Sequence, residues 1–162
     1  MYDYYRAADR QAAVVDPDSG RAGRKHPAFD AVEAKWIDPG IVLGQLVALV
    51  RDVPYSLDLV QTTSLYPPPE GGPKTLEEWE ALPEDSPYQE GPCIDELPAH
   101  VRDTLAGIPD SRVADLAERW GRIEEFIAPP DTGYLTTLIT ELRDLAQRAQ
   151  EENQMIYCWM CA

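Results

Sequence analysis

A chain of 162 residues with 44% hydrophobic side chains is long enough to bury a core, which argues against intrinsic disorder and for one domain spanning residues 1–162. Its net charge of −15 argues against binding to nucleic acid or to an anionic membrane surface. No apolar run approaches the roughly 18 residues of a membrane helix, and no secretory signal is visible, so we expect a cytoplasmic protein.

The charge is concentrated in one part of the chain. The first 36 residues hold six acidic and six basic side chains, so the whole net charge of −15 lies beyond them. A field of this sign favours a basic partner, although high solubility is the simpler explanation. The three cysteines, in a chain without a visible signal, indicate reduced thiols rather than a disulfide framework.

The N-terminal half predicts a strand, a helix and a second strand. Tyrosines separated by short polar spacers favour a strand over residues 2–7. Asp38 and Pro39 fit the N-cap and the first position of a helix over residues 39–51, and this helix is apolar almost all round. A β-prone run follows at residues 57–65.

The C-terminal half predicts two helices and a core strand. Apolar residues that recur every three and four positions predict helices over residues 111–127 and 133–152. Residues 154–160 are apolar on both alternating sides, which is typical of a central strand with packing on each face. We expect Leu46 and Val47, from the buried N-terminal helix, to be buried against the strand at residues 154–160 or the helix at residues 133–152.

These elements predict an α+β fold in which a small sheet is covered by helices. The sheet is expected to be mixed and to contain residues 2–7, 57–65 and 154–160. The covering helices are expected at residues 39–51, 111–127 and 133–152.

Residues 67–98 form a proline-rich, acidic stretch that holds eight of the fifteen prolines. Thr75 and Glu78 form a capping-box pattern, which predicts a short acidic helix from Thr75 to Leu82. Long proline-rich segments of ordered proteins run over the surface, and such segments often bind partners. The candidate partner-binding residues are Glu77, Glu78, Trp79, Glu80, Glu84, Asp85 and Tyr88.

The C-terminal half also carries an ordered series of features. A Gly91-Pro92 loop and a helix precede an Ile-Pro-Asp turn at residues 108–110, and a second helix, a long helix and a final apolar strand follow. This order resembles the C-terminal half of the YfbM-like family of uncharacterised bacterial proteins, over roughly residues 87–160, whereas the N-terminal half departs from that family. The resemblance implies an α+β fold and no established reaction. Some members look like immunity proteins that accompany bacterial toxins.

Cysteine and histidine residues offer a metal-site alternative, because Cys93, His100, Cys158 and Cys161 make a Cys₃His set on paper. Cys158 and Cys161 lie three apart on a predicted strand and would therefore point to opposite faces. The spacing of Cys93 and His100 is too wide for a zinc knuckle. We therefore predict structural thiols and no bound zinc. With only His26 and His100 in the chain, no Ser/His/Asp constellation can be assembled.

Aromatic residues in and beside the predicted sheet offer another site. They could floor a ligand groove, although core packing explains them more simply. The candidate pocket residues are Tyr2, Tyr4, Trp36, Tyr157 and Trp159.

The sequence favours a non-enzymatic module without a cofactor, which binds a basic protein through its acidic surface. An immunity-type protein that acts against a basic toxin would be one example. The alternatives are a small-molecule binder or enzyme with a pocket at the aromatic sheet, and the Cys/His metal site.

Overall fold

The computed structural model describes residues 1–22, 29–126, 128 and 130–161. The strands found among these residues are β1 (Tyr2–Ala7), β2 (Asp30–Glu33), β3 (Thr63–Tyr66), β4 (Cys93–Glu96) and β5 (Met155–Met160). The helices found there are α1 (Arg10–Ala13), α2 (Val42–Arg51), α3 (Leu76–Glu80), α4 (Ala99–Ala106), α5 (Asp110–Trp120) and α6 (Thr132–Glu151). The strands form a sheet in the order β2-β1-β5-β4-β3.

The arrangement confirms the predicted α+β class. The sheet is antiparallel at each pairing among the described strands, which differs from the expectation of a mixed sheet. In the consecutive pairs β1–β2 and β3–β4, the connecting segment returns the chain to the end of the sheet that it left, so the two strands run in opposite directions. A parallel pair would need a connection that crosses to the other end of the sheet.

Strand β5 occupies the middle of the sheet, between β1 and β4. Its residues alternate between two apolar clusters, with Ile156 and Cys158 on the helical face and Tyr157 and Trp159 on the other. All four side chains are buried. The prediction that this two-sided apolar strand lies at the centre of a sheet is therefore confirmed.

The element boundaries differ from the predicted ones in several places. The run at residues 57–65 splits into a 3₁₀ turn, Leu57–Leu59, and the edge strand β3, whose exposed Thr63 and Ser64 suit a border with solvent. The helices expected at 39–51, 111–127 and 133–152 run instead over Val42–Arg51, Asp110–Trp120 and Thr132–Glu151. Strands β2 and β4 have no predicted counterpart.

Helix α2 is the buried pillar that the sequence predicts, since Leu46 and Val47 are both fully buried. Its main neighbours are α4 and α5, so the expected packing against the C-terminal strand or helix is not its principal contact. Trp120 at the end of α5 explains this placement, because its Nε1 donates a hydrogen bond to the carbonyl of Val42 at 2.8 Å. The C-terminal helix α6 packs mainly against α4 and α5.

The opposite face of the sheet is covered by α1 and residues 14–22. Tyr5 and Trp159 donate side-chain hydrogen bonds to backbone carbonyls of this covering layer, at 2.7 and 2.8 Å. The buried Arg21 guanidinium lies 5.2 Å from the centroid of the Tyr5 ring. This face is therefore a second, smaller core. His26 lies outside the described residues.

Helix α6 is 20 residues long, and its buried side chains follow the predicted three- and four-residue spacing. Asp131 caps it, because its carboxylate accepts the backbone N–H of Tyr134 at 2.9 Å. In the part of the chain that the structure describes, no helix combines the length and the apolar character needed to cross a membrane.

Candidate functional site

The acidic stretch predicted as one surface over residues 67–98 consists of two different structures. Residues 67–92 connect β3 to β4 along the surface, and we call them the acidic segment. Beyond them, Cys93–Glu96 is strand β4, and both Ile94 and Leu97 are fully buried. A partner surface is therefore limited to the acidic segment, because the four residues after it are held in the sheet.

The helix of the acidic segment begins at the predicted N-cap, Thr75, although the Glu78 side chain reaches back to Lys74 rather than to the N-cap N–H of a full capping box. Thr75 Oγ1 accepts the backbone N–H of Glu78 at 3.2 Å, and the Glu78 carboxylate accepts the backbone N–H of Lys74. The helix ends at Glu80 rather than at the predicted Leu82. Glu78 is thus engaged with the backbone although, like Glu77 and Glu80, it is exposed.

Side chains at the end of the acidic segment tie it together. Tyr88 Oη donates to the carbonyl of Pro68 at 2.8 Å, and a Cβ at Gly71 would lie 2.5 Å from that hydroxyl. Gln89 Nε2 donates to the carbonyls of Trp79 and Leu82, at 3.4 and 3.2 Å. Tyr88, one of the predicted partner-binding residues, therefore holds the segment in shape and is partly exposed, and its role in binding stays a prediction.

Two apolar side chains of α3 face solvent among these acids. Trp79 is 46% exposed and Leu76 is 73% exposed. The exposed acidic residues of the same segment include Glu77, Glu80, Glu84 and Asp85. In the described part of the chain, none of these four forms an ion pair with a basic side chain. Exposed aromatic and aliphatic groups within an acidic segment offer a surface that a complementary partner can cover.

The aromatic residues proposed for a pocket at the sheet do not share one space. Tyr4 is fully buried on the helical face, where its hydroxyl donates to the carbonyl of Ile37 at 2.7 Å. Tyr157 and Trp159 are buried on the opposite face. Burial raises the pKa of both the Tyr4 and the Tyr157 phenol, which disfavours their ionised forms. Tyr2 is partly buried on the same face as Tyr4.

Trp36 lies elsewhere, in an exposed turn between β2 and α2. Its neighbours Ala34 and Ile37 are fully buried, and the indole between them is 82% exposed. It lines an open cleft of about 710 Å³ together with Ile41 and Tyr134. Of the five aromatic residues predicted for a pocket, Trp36 alone is found among the residues that line this cleft.

The candidate metal ligands are dispersed. Cys158 is buried on the helical face of β5, and burial raises the pKa of its thiol well above the usual range. Cys161 packs on the opposite face, Cys93 is exposed, and His100 Nε2 lies 2.8 Å from the carbonyl oxygen of Leu59. Among the described residues, no group of three or more His, Cys, Asp or Glu side chains is arranged to hold a metal ion.

Sequence reasoning missed Leu76 and the cleft walls Ile41, Phe126 and Tyr134. Leu76 had a signal, since it lies three positions before Trp79 on the same acidic helix. The cleft had no such signal in the sequence, because its walls come from segments that are far apart along the chain. Comparison of the chain with protein-family models, with curated proteins and with solved structures finds no match.

Proposed function

We propose that this chain is a non-enzymatic, cytoplasmic binding module that engages a basic protein through its acidic segment, residues 67–92. The observation that carries the proposal is the exposure of Leu76 and Trp79 amid exposed carboxylates that have no ion-pair partner among the described residues. Buried apolar anchors supply most of the binding energy of protein interfaces, and tryptophan is prominent among them. The surrounding acids would select a partner of opposite charge.

The internal hydrogen bonds of the acidic segment support the same proposal. Tyr88 and Gln89 hold the segment to Pro68, Trp79 and Leu82 before any partner is present. A surface that is already ordered loses less conformational entropy when it binds. The segment therefore resembles a preformed epitope more than a flexible linker.

An immunity-type role fits this chemistry, and it forms part of the proposal. The net charge of −15 complements a basic toxin, and the chain needs no catalytic group to block one. We also propose membership of the YfbM-like family, on the order of loop, helices and final strand over residues 87–160. The resemblance to members that look like immunity proteins supports the same role.

The test is the binding of a partner captured with the intact chain as bait. Association and dissociation rates are measured for the parent and for a Leu76→Ala/Trp79→Ala double variant. We expect the double variant to dissociate at least about 30-fold faster, the equivalent of about 2 kcal/mol in a hot spot. The matched control is Leu57→Ala, which truncates a leucine of similar exposure, 71%, outside the segment. Parental kinetics in the double variant would remove the segment as the interface.

A further inference from the structure

The cleft beside Trp36 has the size and the walls of a ligand site. Its volume of about 710 Å³ lies within the roughly 300–1,000 Å³ that is typical of small-molecule pockets. Three parts of the chain contribute described residues to it: the turn between β2 and α2, the start of α2, and residues 125, 126, 128, 130 and 134 at and before the start of α6. The lining side chains that matter here are Trp36, Asp38, Ile41, Glu125, Phe126 and Tyr134.

The walls of the cleft are held in place by contacts outside it. Trp120 packs edge-on against Phe126, with ring centroids 6.0 Å apart, and donates its indole N–H to Val42 at the start of α2. Gln45 Nε2 donates to Glu125 Oε1 at 3.0 Å. The wall formed by Glu125 and Phe126 is thus fixed to α2, so a ligand would meet a preformed space on this side.

Trp36 is unusual because its backbone has a φ of 65° while its side chain is 82% exposed. A bulky residue with positive φ is a conformational outlier, and such outliers cluster at ligand clamps and other functional sites. The buried neighbours Ala34 and Ile37 anchor the turn, but packing does not require an indole at the exposed position between them. The indole instead forms one side of the cleft.

The charge around the cleft is negative. Two helices start here, and their N-termini are already capped by carboxylates. Asp38 accepts the N–H groups of Ile41 and Val42, at 2.7 and 3.2 Å, and Asp131 accepts that of Tyr134. These bonds use the donors that would otherwise attract an anion.

The charged side chains that line the cleft add to its negative charge. Glu125 adds a further carboxylate to the lining, and the exposed Lys35 is the basic residue among the lining side chains. Lys35 Nζ lies 3.8 Å from the Glu33 carboxylate, which offsets its charge. An anionic ligand would therefore meet repulsion, whereas a cation would meet attraction.

We propose that this cleft binds a small organic cation with an apolar body, of the alkylammonium class. The aromatic side chains of Trp36, Phe126 and Tyr134 line the cleft and suit a cationic head group, since aromatic rings attract cations that lie over their faces. The apolar wall at Ile41 would cover the alkyl chain, and Glu125 adds long-range attraction. This site is separate from the acidic segment and does not depend on the partner proposed for it.

The test uses three probes with the same alkyl chain and different head groups. Calorimetric titration of the intact protein compares octyltrimethylammonium, octanol and octanoate. We expect saturable binding of the cation and at least about tenfold weaker binding of the other two, which corresponds to about 1.4 kcal/mol. Glu125→Gln should weaken cation binding roughly threefold, and Lys35→Gln should strengthen it.

Two substitutions of Trp36 separate recognition from folding. Trp36→Ala removes the indole, and Trp36→Gly removes it while the backbone keeps a positive φ without strain. Both should keep the parental unfolding transition and weaken cation binding at least about tenfold. Leu57→Ala, a change of an exposed side chain outside the cleft lining, should bind the cation like the parent.

Several outcomes would overturn the proposal. One is the absence of saturable binding of the cationic probe, and another is equal affinity for octanol or octanoate. Parental affinity in either Trp36 variant would also reject it, because the indole would then lie outside the site. Self-association of the parent that disappears in Trp36→Gly, measured by sedimentation, would assign the cleft to a second copy of the chain instead.

Discussion

At the scale of single residues, burial and hydrogen bonding have opposite effects on the pKa of Asp3. This carboxylate is 1% exposed in strand β1. Its Oδ2 accepts the backbone N–H groups of Arg21 and Ala22 at 2.7 and 2.9 Å, while Oδ1 has no partner among the described residues. Burial raises the pKa of Asp3, and the two backbone hydrogen bonds lower it by less. Folding therefore disfavours the ionised carboxylate.

A pH-dependent stability follows for the Asp3→Asn variant. Because the folded-state pKa of Asp3 is raised, its contribution to stability is full below the unfolded pKa, near about 3.9, and is lost as pH rises through the folded value. Asparagine does not titrate, so the variant should gain stability relative to the parent as pH rises across this window. Chemical denaturation at several pH values measures the difference. Asp85→Asn, at an exposed site, controls for net charge, and a pH-independent difference for Asp3→Asn would contradict the expectation.

At the scale of elements, helix α2 gives the most direct stability prediction. Leu46 is fully buried between α2 and its helical neighbours. Leu46→Ala should lower the free energy of unfolding by about 2–5 kcal/mol, because apolar contacts are lost and a cavity remains. Leu57→Ala truncates the same side chain where it is 71% exposed, and should cost less than about 0.5 kcal/mol. Similar values for the two variants would mean that α2 does not form the core.

The alternation of strand β5 leads to a prediction about the thiols. Cys158 and Cys161 lie on opposite faces of the sheet, so one ion could not reach both without a change in backbone. Native mass spectrometry of protein purified without chelator should show the mass of the chain alone. One bound zinc that disappears in Cys158→Ser would contradict this.

Cysteines in the neighbouring strands β4 and β5 provide a stability comparison. Cys158→Ser places a hydroxyl in the apolar core and should cost about 1–3 kcal/mol, whereas Cys93→Ser changes an exposed residue and should cost little. Equal costs in chemical denaturation would indicate that Cys158 is not in the core.

The elements that the sequence predicts best are those with long periodic patterns. Helix α6 and strand β5 repeat their apolar residues over enough positions to define a period. Strands β2 and β4 are four residues long and carry acids at their ends, so they depend on pairing with neighbours rather than on their own pattern. Propensity over so short a window does not distinguish them from loops.

The two candidate sites also differ in how far the sequence predicts them. The acidic segment is continuous in sequence, so its composition and its capping box could be recognised directly. The exposure of its individual residues depends on long-range hydrogen bonds, such as that from Tyr88 to Pro68. A local sequence pattern does not reveal such bonds. The Trp36 cleft combines residues from positions 35 to 134, and only the packing of α2 against α5 brings them together.

At the scale of the whole molecule, the uneven distribution of charge determines how a partner would approach. The net charge of −15 lies beyond residue 36, and the acidic segment presents part of it without local ion pairs among the described residues. Charges at the rim of an interface chiefly raise the association rate, while apolar anchors control dissociation. The screening length shortens from roughly 14 to 6 Å between about 50 and 300 mM salt. Association should therefore slow with salt, and dissociation should change little.

Neutralising part of the segment separates this steering effect from solubility. The variant Glu77→Gln/Glu80→Gln/Glu84→Gln leaves Glu78, and hence the capping box, in place. It should associate more slowly with the captured partner at about 50 mM salt and show a flatter salt dependence, at a nearly unchanged dissociation rate. The control, Glu124→Gln/Glu151→Gln/Glu152→Gln, removes the same charge from exposed positions outside the segment. If both variants slow association equally, total charge rather than the acidic segment attracts the partner. If neither does, the segment is a solvated surface whose acids serve solubility.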